Sequence, residues 1–405
     1  MTSSSSIDDR VPDRKDAWCV FLAFLRLGLT SFGGPIAHLG YFRDDFVVRR
    51  RWLGESEYAG LVALCQFLPG PASSQVGMAI GLQRAGLRGA LAAWCGFTLP
   101  SAIAMIGFAI GLSCWGARMP ADALHGMKLV AVAVVAQAVW GMARAFCRDP
   151  GHALLAFAAA ACVLSWPSAW VQVGVIALAA FVGLAWGKPR DVSEDKGLEV
   201  PVSRNFAIVA LVLFFVLLAG LPLLAAAAGS DMVRVADAFY RTGSLVFGGG
   251  HVVLPLLQAE TVARDWIGAG DFLSGYGAAQ AVPGPLFTFA GFLGAAMSVG
   301  PGGWLGGLAC LVAIFLPSLL LVLGVLPFWE SLRRRAKVRA ALAGVNAAVV
   351  GLLLAALYDP LWTSAVRDWR DVVLVAVGIA ALMWAKLPPW VVVVALGTAG
   401  YFVAA

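Results

Sequence analysis

Long apolar runs dominate this sequence and leave few ways for the chain to fold. They fall at residues 17–34, 58–82, 88–113, 124–146, 152–165, 168–187, 204–228, 237–257, 273–298, 303–328, 338–358, 370–385 and 388–404. About 20 apolar residues suffice for a helix to cross roughly 30 Å of hydrocarbon, and most of these runs approach or exceed that length. A closed β-barrel also satisfies its backbone in lipid, but its strands alternate apolar and polar residues, and these runs do not. The sequence therefore predicts an all-α polytopic membrane protein with about 10–13 transmembrane helices. Charged residues make up 13% of the 405, about half the usual share of a soluble chain, too few to clothe a soluble surface.

The 29 Lys and Arg against 23 Asp and Glu give a formal charge of +6. The basic residues cluster in short segments between apolar runs, a topology signal rather than a nucleic-acid surface. No nucleic-acid partner is expected. The seven cysteines stand singly without CxxC spacing, so neither a disulfide framework nor a zinc site is expected. Residues 1–16 are Ser-rich and mixed in charge, with no cleavable signal after them, and read as a cytoplasmic tail. From that start the inner loops hold the larger share of Lys and Arg, with Arg43 and Arg49 to Arg51 on the wrong side. A re-entrant hairpin over 17–40 would move that loop inside.

The polar stretch between Gly187 and Arg204 lies near the midpoint, and the halves on either side of it repeat. Phe24-Leu-Arg26-Leu-Gly28 through Phe32-Gly33-Gly34 aligns with Phe239-Tyr-Arg241-Thr-Gly243 through Phe247-Gly248-Gly249. Gln66-Phe-Leu-Pro69-Gly70-Pro71 meets Gln280-Ala-Val-Pro283-Gly284-Pro285, Gly77 meets Gly291, and Gly89 to Ser101 meets Gly306 to Ser318. The expected division is a tail (1–16), a first repeat (17–187), a linker (188–204), a connecting transmembrane segment (205–236) and a second repeat (237–405). An odd number of crossings between equivalent points makes the repeats inverted, the architecture of secondary transporters, with substrate bound between repeats near the midplane.

Both Pro-Gly-Pro triplets interrupt apolar runs. Two prolines around a glycine break a helix, and irregular backbone at membrane depth persists only inside protein or beside a wet cavity. The half-helix that follows presents free N–H groups and a positive dipole end, which favour an anion. Ser73, Ser74 and Gln75 follow the first triplet and Thr288 the second, all donors suited to an oxyanion. The bland reading is a structural kink whose hydroxyls bond their own helix; the duplication favours function. Gly33-Gly34-Pro35 and Gly248-Gly249-Gly250-His251 either allow close helix approach or form a second pair of breaks. They lack the spacing of nucleotide loops.

Arg26 and Arg241 occupy equivalent places inside predicted spans. They either face a dianion as paired guanidinium forks or snorkel to the interface. No Asp or Glu lies mid-run; Asp231, Asp237, Glu260, Glu330 and Asp359 sit at edges, which points to anions rather than cations. His251, and less so His38, could titrate near neutral pH. Arg333 to Arg335 with Lys337 and Arg339 read as an orienting loop, with anionic lipid as a lesser partner.

At these motifs the sequence resembles the chromate ion transporter family, in its long duplicated form. The matching text is FGGPIAHLGYFRDDFV, LVALCQFLPGPASSQVG and GFTLPSA in the first half, then VFGGGHVVLPLLQAE, FLSGYGAAQAVPGPLFTFAGFLG and FLPS in the second. The resemblance implies chromate efflux conferring resistance, in a prokaryotic inner membrane. Carried over, its motifs point to Arg26, Gly33, Gly34, Pro69, Gly70, Pro71, Arg241, Gly248, Gly249, His251, Pro283, Gly284 and Pro285. The donors Ser73, Ser74, Thr288, Gln66 and Gln280 complete the expected substrate-binding set. A sulfate carrier and an anion channel are the alternative readings. No nucleophile–base pair is present, so no enzyme and no cofactor are expected. The expected partners are the oxyanion, membrane lipid and a second copy in a homodimer.

Overall fold

The first repeat opens with a helix that stops partway through the apolar layer and turns back. The computed structural model describes residues 16–32, 34–115, 121–166, 168–186, 202–247, 252–329 and 335–403, and among these every regular element is helical. Helix α1 (Ala17–Thr30) starts under Asp16, whose carboxylate accepts from Trp18 N, and its 14 residues reach about 21 Å. It ends at Ser31 in extended backbone. Helix α2 (Gly34–Phe42) then starts at Gly34, whose φ of +78° suits a residue without Cβ. α2 continues through a π-helical stretch, Arg43–Arg49, and returns along α1: the Phe24 ring lies 5.4 Å from Phe42 and 4.7 Å from Phe46. The run 17–34 is thus one arm of a re-entrant hairpin.

A second hairpin follows. Helix α3 (Glu55–Phe67) enters, Pro69-Gly70-Pro71 turns the chain, and the first arm of α4 (Ala72–Trp115) leaves. Arg84 near the end of that arm stacks 5.2 Å from the ring of Trp52, just ahead of α3, so both arms open on one face. α4 is not one rod. Ala85 and Gly86 are non-helical, with Gly86 at φ +60°, and the chain reverses there. Residues eight apart on a straight helix are separated by about 12 Å, yet a Cβ on Gly81 would sit 2.2 Å from Gly89 O. The second arm, 87–115, then crosses.

Three helices complete the repeat: α5 (Ala121–Phe146), α6 (Pro150–Ser165) and α7 (Ala169–Trp186). Helix α8 (Arg204–Ala228), capped by Ser203 Oγ and closed by left-handed Gly229, connects the halves. The second repeat retraces the first as α9 (Asp231–Leu245), α10 (Val253–Thr261), α11 (Ala269–Ala281), α12 (Phe289–Ala296), α13 (Gly303–Val325), α14 (Ala336–Ala356), α15 (Trp369–Met383) and α16 (Pro389–Val403). Ser298 N donates to Trp266 O at 2.9 Å, so α11 and α12 also open on one face. Gly294 meets Gly306 O as Gly81 meets Gly89 O.

The repeats are inverted. The α4 second arm carries the chain from the face of Arg84 to the opposite face, where α5 begins. There Lys128 of α5 packs on Gly270 at the mouth of the second repeat, and His125 Nε2 lies 2.8 Å from Asp371 Oδ1 at the start of α15. The two pairs of hairpins therefore open on opposite faces. The short pairs α6–α7 and α15–α16 return the chain to the face it left, so the inversion does not depend on how deeply they insert.

Of thirteen apolar runs, four contribute to re-entrant hairpins, and the rest form helices directed from one face toward the other. Among the described residues five stretches, containing α4, α5, α8, α13 and α14, are long and apolar enough to cross unaided. The reassignment also places Arg43, Arg49, Arg50 and Arg51 on the N-terminal face, joining Arg84, Arg88, Arg144 and Arg148. The expected tail and linker lie almost wholly outside the described residues.

Helices exchange partners between repeats. α5 packs on α15 and α16, while α14 packs on α6 and α7. Small residues make this contact close, as expected for helices in lipid: Cβ positions on Gly344 and Gly351 would fall 2.0 and 2.1 Å from Ala179 O and Ala156 O.

Candidate functional site

The four breaks meet where the repeats cross. Gly70 N, in the first Pro-Gly-Pro turn, donates to Val246 O at the end of α9 at 2.6 Å, and Gly284 N, in the second, donates to Ser31 O at the end of α1 at 2.9 Å. Ser31 and Val246 are equivalent in the repeat register, as are the two glycines. Each turn of one repeat is thus pinned to the break of the other. Glycine is required at both: φ is +121° at Gly70 and +101° at Gly284. A Cβ would meet Ser318 Oγ at 2.3 Å in the first case and Ser101 Oγ at 2.8 Å in the second, and Ser101 and Ser318 are again repeat mates.

Around these links the interior is polar. Ser31, His38, Ser73, Ser74, Gln75, Thr98, Ser101, Thr288 and Ser318 are all buried. Some bonds are internal: Gln75 Nε2 donates to Pro69 O at 2.7 Å, Ser101 Oγ to Thr98 O, and Thr288 Oγ1 to Pro285 O. Ser31 Oγ, His38 Nε2, Ser74 Oγ, Gln75 Oε1, Thr98 Oγ1 and Ser318 Oγ have no hydrogen-bond partner among the described residues. Buried polar atoms are nearly always paired, and unpaired ones call for a ligand, water or strain. α2, α4 and α12 begin near these links, so three positive helix ends lie there. Beside them a small open cleft is lined by both repeats, through Gly34 and Pro35, Gln137 of α5, Gln280, Gly284 and Pro389. Hydroxyls without partners beside helix N-termini are groups of the kind that favour negative charge.

The expected set divides accordingly. Gly34, both Pro-Gly-Pro triplets, Ser73, Ser74 and Thr288 come together, although the Thr288 hydroxyl is committed to Pro285 O. Gln280 is half-buried at the cleft, while Gln66 at its equivalent position is exposed. Gly33, Gly248, Gly249 and His251 lie outside the described residues.

The paired guanidinium forks do not form. Arg26 is exposed on α1, whereas Arg241 is buried with Nη2 2.7 Å from Asp237 Oδ2 and Nη1 2.9 Å from Glu260 Oε1. Arg264 joins Glu260 at 2.8 Å and stacks on Trp266. The first repeat carries a related cluster, Asp45 with Arg49 and Arg50, the latter stacked on Trp52. These clusters tie the hairpins at their mouths. Asp237 and Glu260, at the edges of apolar runs, thus pair with arginine rather than reach solvent. α8 explains the asymmetry: it packs on α9 and α13 and accepts the Tyr240 hydroxyl at Phe214 O, whereas no equivalent helix precedes α1 among the described residues.

Ser31, Thr98, Ser101 and Ser318 were not singled out by the sequence. The last two stand in the Pro-Ser landmark of the repeat, which was a usable signal. Ser31 had none beyond its place beside a glycine pair.

Inverted repeats joined at broken helices are the architecture of secondary membrane transporters. The Chromate transporter family matches residues 18–184 and 233–401, one stretch per repeat. The chain belongs to that family. The chromate transport protein of Pseudomonas aeruginosa is 27% identical over 391 residues, covering 95% of this chain and 92% of that protein. A probable chromate transport protein of Synechococcus elongatus is 26% identical over 393 residues, 93% of each chain. An uncharacterized transporter of Methanocaldococcus jannaschii is 26% identical over 342 residues, 83% of this chain and 82% of that one. No solved structure matches the chain.

Proposed function

We propose that this protein carries chromate across the prokaryotic inner membrane and exports it, thereby conferring resistance. The reciprocal links Gly70–Val246 and Gly284–Ser31, with buried hydroxyls that have no partner among the described residues beside them, are the observation that carries this reading. A tetrahedral oxyanion offers several acceptor oxygens to such donors, and the nearby helix ends supply positive potential without a fixed cation. Inverted repeats supply the two-sided access: rocking one against the other exposes the crossing to each face in turn.

The N-terminal face collects Arg43, Arg49 to Arg51, Arg84, Arg88, Arg144 and Arg148, which supports a cytoplasmic N-terminus. A dianion leaving a negative interior gains about 2.3 kcal/mol per charge per 100 mV, so export runs downhill electrically. Chromate is preferred to sulfate on the names of the relatives. Counterflow of labelled chromate in proteoliposomes, with sulfate as competitor, tests this. Saturable chromate exchange that sulfate inhibits weakly is expected, and Ser101→Ala with Ser318→Ala should weaken it. Equal exchange of both ions, or flux linear in concentration, would replace the reading with a general oxyanion carrier or a channel.

A further inference from the structure

One titratable side chain at the crossing is not duplicated by the repeat. In the repeat register, His38 stands where the second half has Val253. α2 places its ring at the crossing, 1% exposed, with Nδ1 3.4 Å from Ser73 Oγ and edge-on to Phe97 at 5.2 Å. The ring also hydrogen-bonds the Ser31 backbone, whose carbonyl receives Gly284 N from the other repeat. Nε2 has no hydrogen-bond partner among the described residues. The elements packed around the ring present Ser31, Ser73 and Phe97. Among the described residues, no Lys, Arg, Asp or Glu acts on it.

This matters because a dianion among neutral donors keeps its full charge in a poorly solvated place, and uncompensated buried charge is costly. The arginines that were expected to offset it are exposed (Arg26) or bound to carboxylates (Arg241). A proton on His38 makes the ring a cation with two N–H donors, lowering the net charge of the loaded site from −2 to −1. The preference is reciprocal: an anion that binds the charged ring better also raises the ring's proton occupancy by the same factor. An empty site leaves the ring buried without an opposite charge, so it sheds the proton as the anion departs.

We infer that His38 is the proton-binding group of the anion site, and that each dianion crosses together with one proton, moving one net negative charge. This rests on the anion-carrier reading above. The proton is taken from water on the loading side and returned to water on the releasing side, with no covalent step.

Proteoliposomes with a chromate gradient, a trapped pH indicator and a potassium–valinomycin clamp read anion, proton and charge together. The wild type should move one proton and one net charge per chromate, with the initial rate rising as the loading side is acidified. His38→Gln should exchange chromate more slowly than wild type, with no proton movement, two charges per anion and a flat pH profile. Wild-type flux carrying two charges and no proton overturns the inference while leaving the carrier intact. Proton movement that survives in His38→Gln places the proton on the anion itself and also overturns it. If the variant does not assemble, the wild-type proton and charge ratios alone decide whether a proton accompanies the anion, and chemical modification of the purified wild type by a histidine reagent, blocked by chromate, decides its site. A wild type that moves no chromate removes both readings.

Discussion

Replacing Gly70 by alanine should disable transport while the outer helices remain assembled. At φ +121° the residue lies where L side chains are strained, at a cost of about 1–3 kcal/mol. The new Cβ would fall 2.3 Å from Ser318 Oγ and 2.7 Å from Gln75 Nε2, and overpacking of this kind costs about 1–3 kcal/mol more. A middle value of about 4 kcal/mol depletes the native crossing roughly a thousandfold at 1.4 kcal/mol per factor of ten. Gly284→Ala should be milder, because its nearest contact, Ser101 Oγ, is at 2.8 Å. Gly34→Ala should be milder still: at φ +78° with nothing among the described residues within 4 Å, it meets backbone strain of about 1 kcal/mol. Adding Ser318→Ala to Gly70→Ala removes the closest clash and should recover about tenfold of activity. The assay is chromate counterflow normalised to the monodisperse protein reconstituted. Counterflow by Gly70→Ala within threefold of wild type would refute the account of the crossing.

Three further outcomes follow from the same structure. With native cysteines removed, Glu55→Cys and Asp231→Cys should react with an impermeant maleimide from opposite faces of the membrane; labelling from one face sinks the inverted arrangement. Arg241→Gln should lower thermal stability by about 3–5 kcal/mol, since it strands buried Asp237 and Glu260, whereas Arg26→Gln should fold and transport normally. Loss of transport in Arg26→Gln with intact folding would restore that arginine to the site. Asp149, whose carboxylate is held below its ordinary range first by the His152 backbone N–H, caps α6. A depressed carboxylate stabilises above its unfolded pKa and loses that effect as pH falls through its folded value. Asp149→Ala should therefore lower the melting point at neutral pH, and the gap to wild type should close in acid. A gap independent of pH would mean that the cap acts without its charge.

The sequence by itself determined the helical membrane class, the duplication and the two proline breaks, because each is written locally. Apolar length decides what enters lipid, and Pro-Gly-Pro stops a helix whatever surrounds it. It also located the donors immediately after the breaks, Ser73 and Ser74. What it could not determine was direction. Whether a chain continues across the membrane or turns back after Gly33-Gly34 depends on what the freed backbone finds to bond, and the partners are remote: Ser31 is answered by Gly284, and Gly70 by Val246. The two equivalent arginines show the same limit. Identical in register, one is exposed and the other is buried against two carboxylates, because α8 covers the second repeat and has no counterpart on the first among the described residues. Residues 200 or so apart in the chain meet at the crossing, and only the packing of one inverted half against the other puts Ser318 beside Gly70 and Ser101 beside Gly284.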